Sequence, residues 1–263
     1  SARAVAPRRS GAMTSADATG LDLDELQREV ARFGVAEEQV RRDHLISHVL
    51  AAISASCSED VIFFGGTALS RTHLAHSRLS EDIDLIATTT RGVVLPKLVR
   101  AVERALLRTH GRTVWIRPFT DRDTDAAVMS AAGVQLQVQL LRGAHYPAWP
   151  VEQVGLHQRY SDAPPAILTV PTLPAFSGWK VAAWSDRSAP RDLYDLWALN
   201  QINALTAQAA ELFARYGPTG RNVISGCSPT VDRRDAPDLR RRGDRGRRGR
   251  PRRGDPIRCG TLG

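Results

Sequence analysis

Phe63-Phe64-Gly65-Gly66-Thr67-Ala68-Leu69, followed by Arg78-Leu79-Ser80-Glu81-Asp82-Ile83-Asp84-Leu85, limits what this chain can fold into more than any other stretch. Residues 61–64 are a short apolar run ending in a glycine pair, which reads as a buried strand entering a tight turn. Ile83, Leu85 and Ile86 mark a second strand. On it Asp82 and Asp84, at positions i and i+2, share one face with Cα atoms roughly 6–7 Å apart. Ile83 and Leu85 then point into a core and both acids point out. Two carboxylates this close raise each other's pKa unless a cation lies between them. Hard oxygen ligands at that spacing suit Mg²⁺, commonly held by one or two carboxylates plus substrate phosphates. Two such ions can clamp the entering and leaving oxygens of a phosphoryl displacement. The glycine pair lets backbone N–H groups approach a phosphate, and a helix starting near Thr67 adds its dipole. Singly, a glycine pair is usually a turn and Asp-x-Asp a solvated strand face. In this order, about 16 residues apart, they place phosphate donors beside metal ligands.

Around this unit the periodicities predict an α+β fold: a small mixed sheet with flanking helices, followed by a helical C-terminal part. Helices are predicted over 21–33, 37–54, 67–74 and 95–107, and later over 173–185, 191–199 and 204–216. Pro190 suits the first turn of the helix over 191–199. Strands are predicted over 113–116 and 134–141. The latter alternates Val134, Leu136, Val138 and Leu140 against Gln135, Gln137 and Gln139. Residues 142–165, rich in Pro and aromatics, read as a loop, and residues 1–20 as a disordered N-terminus.

Net charge is +8, but its distribution matters more than its sum. Residues 221–263 carry 13 Arg against 5 Asp, the whole excess, and residues 1–220 balance at 23 basic and 23 acidic groups. The folded body is therefore neutral, and global charge says little about its partner. The Arg/Gly-rich tail cannot bury a core. It reads as a disordered end, with a nucleic-acid-binding arm as the functional alternative; no aromatics are interleaved for base stacking. Lysine is limited to Lys97 and Lys180, so any lysine-specific role in the body falls on one of two residues. Cys57, Cys227 and Cys259 form no CxxC pair, which points to a reducing, cytoplasmic compartment. No stretch approaches about 18 apolar residues, so no membrane span is expected, and the basic N-terminal segment lacks the apolar core of a secretory signal.

The glycine-pair and Asp-x-Asp unit resembles the first motif of the DNA polymerase β-like nucleotidyltransferase superfamily. The fuller string Gly-Gly-Thr-Ala-Leu … Arg-x-Ser-x-Asp-Ile-Asp-Leu is similar to the AbiEii/AbiGii toxin family within it. The run from Lys180 through Arg187, Arg191 and Asp192 to Asp195 looks like that family's C-terminal signature, and the resemblance spans roughly residues 36–216. It implies a nucleotidyltransferase core over 21–165 and a helical part over 166–220 that completes the active site. It implies an NTP substrate, Mg²⁺ or Mn²⁺ as cofactor, and an AbiEi-like antitoxin as partner. It also implies the activity of mycobacterial members, transfer of nucleotides from NTPs onto the 3′ acceptor end of tRNA, which stops translation. Carried over by motif position, Gly65, Gly66 and Ser80 contact the triphosphate, and Asp82 and Asp84 hold metal. Lys180 binds nucleotide phosphate, and Asp195 is a helical acid needed for activity. The residue spacing agrees in part: Lys180, Trp184, Arg187 and Arg191 fall at helical steps and can share one stripe.

The chain departs from the superfamily at the third carboxylate, expected on the strand whose polar face is Gln135, Gln137 and Gln139. An amide is a poorer metal ligand and no general base. Either Asp192 or Asp195 then supplies the missing charge, or the metal site is weakened. Competing readings are nucleotidyl transfer to protein or a small molecule, and a non-catalytic nucleic-acid-binding module. His73, His76, His110, His145 and His157 show no metal-ligand spacing and read as ordinary polar residues. Trp149, Trp179, Trp184 and Trp197 read as packing residues.

Overall fold

A computed structural model describes residues 17–217. The sequence-based expectations for residues 1–16 and 218–263 lie outside them. Asp17 to Gly20 form a turn closed by Gly20 N–H donating to the Asp17 carbonyl at 3.1 Å. Helices α1 (Leu23–Phe33) and α2 (Glu37–Cys57) follow. Asp22 caps α1, its carboxylate accepting from the backbone N–H of Asp24 and Glu25, and Gly34 ends the helix in the left-handed conformation. Strand β1 (Val61–Phe64) runs directly into α3 (Gly65–Arg71), and β2 (Asp82–Ala87) into α4 (Arg91–Thr109). Then come β3 (Val114–Arg117), β4 (Ala127–Ala131), β5 (Val134–Arg142), β6 (Val151–Gly155) and β7 (Ile167–Pro171). Helices α5 (Leu173–Arg187), α6 (Pro190–Gln201) and α7 (Ala207–Tyr216) complete the described residues.

The seven strands form one mixed sheet in the order β3-β4-β5-β2-β1-β7-β6. β2 lies between β1, to which it is antiparallel, and β5, to which it is parallel. One face of the sheet packs against α2 and α4. Leu45, Val49 and Ile53 from α2, Val94, Leu98 and Val102 from α4, and Phe63, Ile83, Leu85, Val138 and Leu140 from the strands are all within 1% of full burial. The opposite side of β1, β2 and β5 presents Phe64, Ile86 and Leu141, which pack with Tyr146 and with Trp179 of α5. The strict alternation of β2 thus divides its side chains between a closed core and the face where α5 crosses.

The fold class is the expected one, and three strands were not legible. β4, Ala-Val-Met-Ser-Ala, alternates in burial, but three of its five residues are Ala or Ser, so no apolar period marks it. β7 is five residues between proline-rich boundaries. The loop predicted over 142–165 contains β6, whose side chains are almost all exposed at the sheet edge, so no hydrophobic period marks it. Helix α4 also begins four residues earlier than predicted and carries Pro96 inside it.

Behind α3 sits a buried charge cluster. The Arg71 guanidinium, fully buried, donates to the Asp43 carbonyl at 2.9 Å, to Asp43 Oδ1 at 2.8 Å and to the His157 carbonyl at 3.1 Å. Arg159 and the Tyr160 hydroxyl donate to the same Asp43 carboxylate. A buried carboxylate with this many donors fixes the C-terminal end of α3 against α2.

Candidate active site

Phe64 pairs with Asp84 across β1 and β2, which sets Gly65 directly beside the second aspartate. Gly65 has φ +82°, and a Cβ there would collide with Asp84 Oδ2. A Cβ on Gly66 would lie 3.0 Å from the Arg78 guanidinium and 3.1 Å from Ser80 Oγ. Gly65 is therefore required by its left-handed backbone and its close approach, while at Gly66 a Cβ would make Arg78 and Ser80 give by a few tenths of an ångström. Thr67 Oγ1 donates to the Asp82 carbonyl, tying the start of α3 to the start of β2. Gly65→Ala is expected to cost at least about 1–2 kcal/mol in backbone strain, lowering Tm by roughly 2–8 °C in a thermal melt.

Gly65, Gly66, Ser80, Asp82, Asp84 and Lys180 line one cleft of about 620 Å³. Its floor is β1, β2 and β5, and its far wall is α5, which contributes Trp179, Asp186 and Arg187. Arg78 and Arg191 also line it. Asp82 stands in register with Gln137 and Asp84 with Gln139 on the parallel strand β5. The position beside the acid pair is thus amide, and Gln139 donates its N–H to the Thr124 carbonyl at 2.7 Å.

Burial pushes the Asp84 carboxyl up to about 6, with the Asp82 charge adding to it and Lys180 opposing. Burial also raises Asp82, against the pull of Arg191. Two acids held near each other with raised pKa values form a site that a hard cation relieves, and their four oxygens are the donor set Mg²⁺ and Mn²⁺ prefer.

Asp195 does not line the cleft among the described residues. It is 2% exposed behind the cleft wall and accepts from Arg78 Nε at 2.8 Å and Nη2 at 2.9 Å, with Lys180 Nζ at 2.7 Å. Asp192, fully buried, accepts from Arg187 at 2.6 and 2.8 Å and from Lys180 at 3.3 Å. Burial alone would raise Asp192, but these donors outweigh it and hold it below the usual range. Two acids on α6 thus aim three cations, Arg78, Lys180 and Arg187, at the cleft from behind. Neither acid stands beside the Asp82/Asp84 pair, where a third metal ligand would be needed.

The single helical stripe from Lys180 to Arg191 is not formed. Helix α5 ends at Arg187, Ser188 takes the left-handed conformation at φ 48°, and Pro190 begins α6. Arg191 reaches the cleft from the next helix instead. Asp186, an exposed carboxylate on the cleft wall, was missed from sequence, though it lies within the run that carries the resemblance. Trp179 lines the cleft while stacking on Phe64 at 4.8 Å and on Trp149 at 5.6 Å, so it is a packing residue with one edge in the site.

The family model for "Nucleotidyl transferase AbiEii toxin, Type IV TA system" matches residues 48–251. No curated protein matches the chain significantly. Among solved structures, a solution structure of the antibiotic-resistance factor ANT(2″)-Ia is similar at 15% identity and TM-score 0.42, covering 67% of this chain and 91% of that one. A crystal structure of ANT(2″)-Ia in complex with adenylyl-2″-tobramycin is similar at 16% identity and TM-score 0.39, covering 66% of this chain and 98% of that one. An antigenic nucleotidyltransferase-like protein from Paracoccidioides brasiliensis is similar at 12% identity and TM-score 0.35, covering 74% of this chain and 88% of that one.

Proposed function

Because this chain belongs to the AbiEii nucleotidyltransferase toxin family, we propose that it transfers a nucleoside monophosphate from an NTP to RNA, with the tRNA 3′ acceptor end as acceptor, and so blocks translation. The observation that carries the transfer reading is one cleft in which an acid pair, a glycine turn and a ring of cations converge. The family also places the chain in a type IV toxin–antitoxin system, so its partners include an antitoxin. We take that partner to be AbiEi-like and the site of action to be the cytoplasm. Among the described residues no helix is long and apolar enough to cross a membrane.

In this reading Gly65, Gly66 and Ser80 receive the triphosphate at the start of α3, and Lys180, Arg78 and Arg187 neutralise it from α5 and the loop before β2. Asp82 and Asp84 hold Mg²⁺ or Mn²⁺, which when bound cancels their mutual repulsion and draws charge from the phosphates. The acceptor's 3′-hydroxyl attacks the α-phosphorus, forming a P–O bond as the bond to the bridging oxygen breaks and pyrophosphate leaves. Gln137 and Gln139 have no basic oxygen to offer, and the hydroxyl proton leaves to water in the cleft beside the ionised Asp82/Asp84 pair. Asp192 and Asp195 do not touch substrate: they hold the three cations in place. On this assignment α5 and α6, in the part over 166–220, complete a core over 21–165.

Each of the four labelled NTPs, incubated with Mg²⁺ and either total tRNA or lysate protein, tests the acceptor. Label in tRNA with pyrophosphate release, absent in Asp82→Ala, is expected. Label found only in protein removes the tRNA reading but keeps the transferase. A wild-type level of transfer by Asp82→Ala removes the site.

Acidity gives a second check. The folded-state pKa of Asp84 lies above its unfolded value, so between about pH 4 and pH 6 the native state keeps a proton that the unfolded chain has lost. That group's contribution to stability therefore falls as pH rises through this window in metal-free protein. Mg²⁺ binds only the ionised pair. The Tm gain from Mg²⁺ is expected to be small at pH 5 and fully developed above pH 7, as differential scanning fluorimetry would show.

A further inference from the structure

Two histidines of one helix meet one carboxylate, a third histidine packs against them, and none of the four lines the cleft. His44 and His48 stand one turn apart on α2, His110 caps the C-terminus of α4, and Asp162 lies in the loop between β6 and β7. His44 Nε2 is 3.1 and 3.0 Å from the two Asp162 carboxylate oxygens, and His48 Nε2 is 3.2 Å from Oδ2. The two imidazole nitrogens are themselves 3.2 Å apart.

Protons alone serve this triangle poorly. If both Nε2 atoms give hydrogens to Asp162, both edges to the carboxylate are made, but the two N–H dipoles lie side by side across the 3.2 Å edge. If His48 donates to His44 instead, the bare His44 nitrogen turns its lone pair on a carboxylate. A cation at the centre makes all three edges favourable. Tetrahedral zinc, with ligands at about 2.0–2.1 Å, spaces its ligand atoms about 3.3 Å apart, close to what is seen here. His110 packs beside the triangle, its ring centroid 5.1 Å from that of His44 and 5.0 Å from that of His48, and walls the site without entering its ligand set.

We propose that His44, His48 and Asp162, with water in the fourth position, bind one zinc-class divalent cation, at a site separate from the Asp82/Asp84 pair. The imidazole-rich donor set excludes Mg²⁺, which keeps to oxygen ligands, so the two sites do not compete for the same ion. Burial also pushes His48 below the ordinary histidine range, which keeps that ring neutral with a lone pair to give. The cation's work is structural. Asp162 follows Tyr160, whose hydroxyl already donates to the Val40 carbonyl at 3.1 Å and to Asp43 at 3.0 Å, so the ion fastens the same loop to α2 a turn further on. One edge stays open, since the Asp162 side chain is 28% exposed, giving the ion a path in from solvent.

Co²⁺ titrated into chelator-treated full-length protein is the direct probe. One equivalent is expected to give the intense visible bands of tetrahedral Co²⁺ and to be displaced by Zn²⁺. Zn²⁺ at about 100-fold over its Kd should raise Tm by roughly 5–10 °C, where the same concentration of Mg²⁺ does not. The exposed-side variant Asp162→Ala, with its fold checked by circular dichroism, should weaken Co²⁺ at least tenfold, and His48→Asn should do the same. The double variant Asp82→Asn/Asp84→Asn should bind Co²⁺ unchanged. The proposal is overturned by no stoichiometric binding, by weak octahedral bands that vanish in the Asp82/Asp84 double variant, by a thiolate charge-transfer band assigning the ion to cysteine, or by Asp162→Ala binding as well as wild type.

Discussion

Asp84→Asn should lower nucleotidyl transfer by about a thousandfold while making the metal-free protein more stable. The two changes have one cause. Asp84 is pushed up to about 6 because burial disfavours its charge and Asp82 repels it, with only partial relief from Lys180. An amide of the same shape removes that penalty, and a stability gain on the order of 1–2 kcal/mol is expected at pH 8 without metal. The same charge is what draws a divalent cation, whose stabilisation of the reacting phosphate is worth several kcal/mol, or about three factors of ten in rate. Opposite movement of stability and activity marks a site built for function rather than for folding. The measurement is label transfer at saturating NTP beside a thermal melt in chelator. A variant that loses stability and activity together would show that Asp84 is a packing residue instead, and one that keeps its activity would show that the cleft does something else.

The parts of this site that were legible in sequence are those encoded within one strand and its flanking turn. β2 announces itself because Ile83 and Leu85 alternate with Asp82 and Asp84, and because Gly65 and Gly66 interrupt an apolar run. Lys180 stood out by scarcity. What was not legible depends on pairings across the chain. Arg78 finds Asp195 over 117 residues, and no local period foretells it. The sequence offered Asp192 and Asp195 as acids in search of a metal; the fold makes them anchors for cations, because both are buried where Lys180, Arg78 and Arg187 end. The helix break before Pro190 was legible, but the left-handed turn at Ser188, a serine rather than a glycine, was not, and it is what takes Arg191 off the stripe of Lys180, Trp184 and Arg187. His44 and His48 did carry a signal, i and i+4 on a predicted helix, but their third partner is Asp162, far along the chain and unmarked by any motif.

The anchoring role of α6 makes the other large prediction. Asp195→Asn leaves Arg78 and Lys180 facing a neutral amide at a site only 2% exposed. Breaking a buried pair by removing one charge costs about 3–5 kcal/mol. The lower end, about 3 kcal/mol, applies here, since Lys180 keeps Asp192 at 3.3 Å and the Arg78 side chain is 24% exposed and can turn to water. Tm should then fall by roughly 6–12 °C. Activity should fall further than stability explains. Asp195 is the acid that Arg78 and Lys180 share, at 2.7–2.9 Å, and a displacement of about 1 Å in such groups can cost a hundredfold. NTP affinity, measured by calorimetry well below the variant's Tm, separates the two effects. Asp43→Asn supplies the comparison: an equally buried acid, outside the cleft, whose loss should lower Tm while leaving NTP affinity in the folded protein within a few-fold of wild type. If Asp195→Asn behaves like Asp43→Asn, losing stability and nothing else, the cations of the cleft are held by something other than α6, and Lys180 and Arg78 are not the groups that receive the triphosphate.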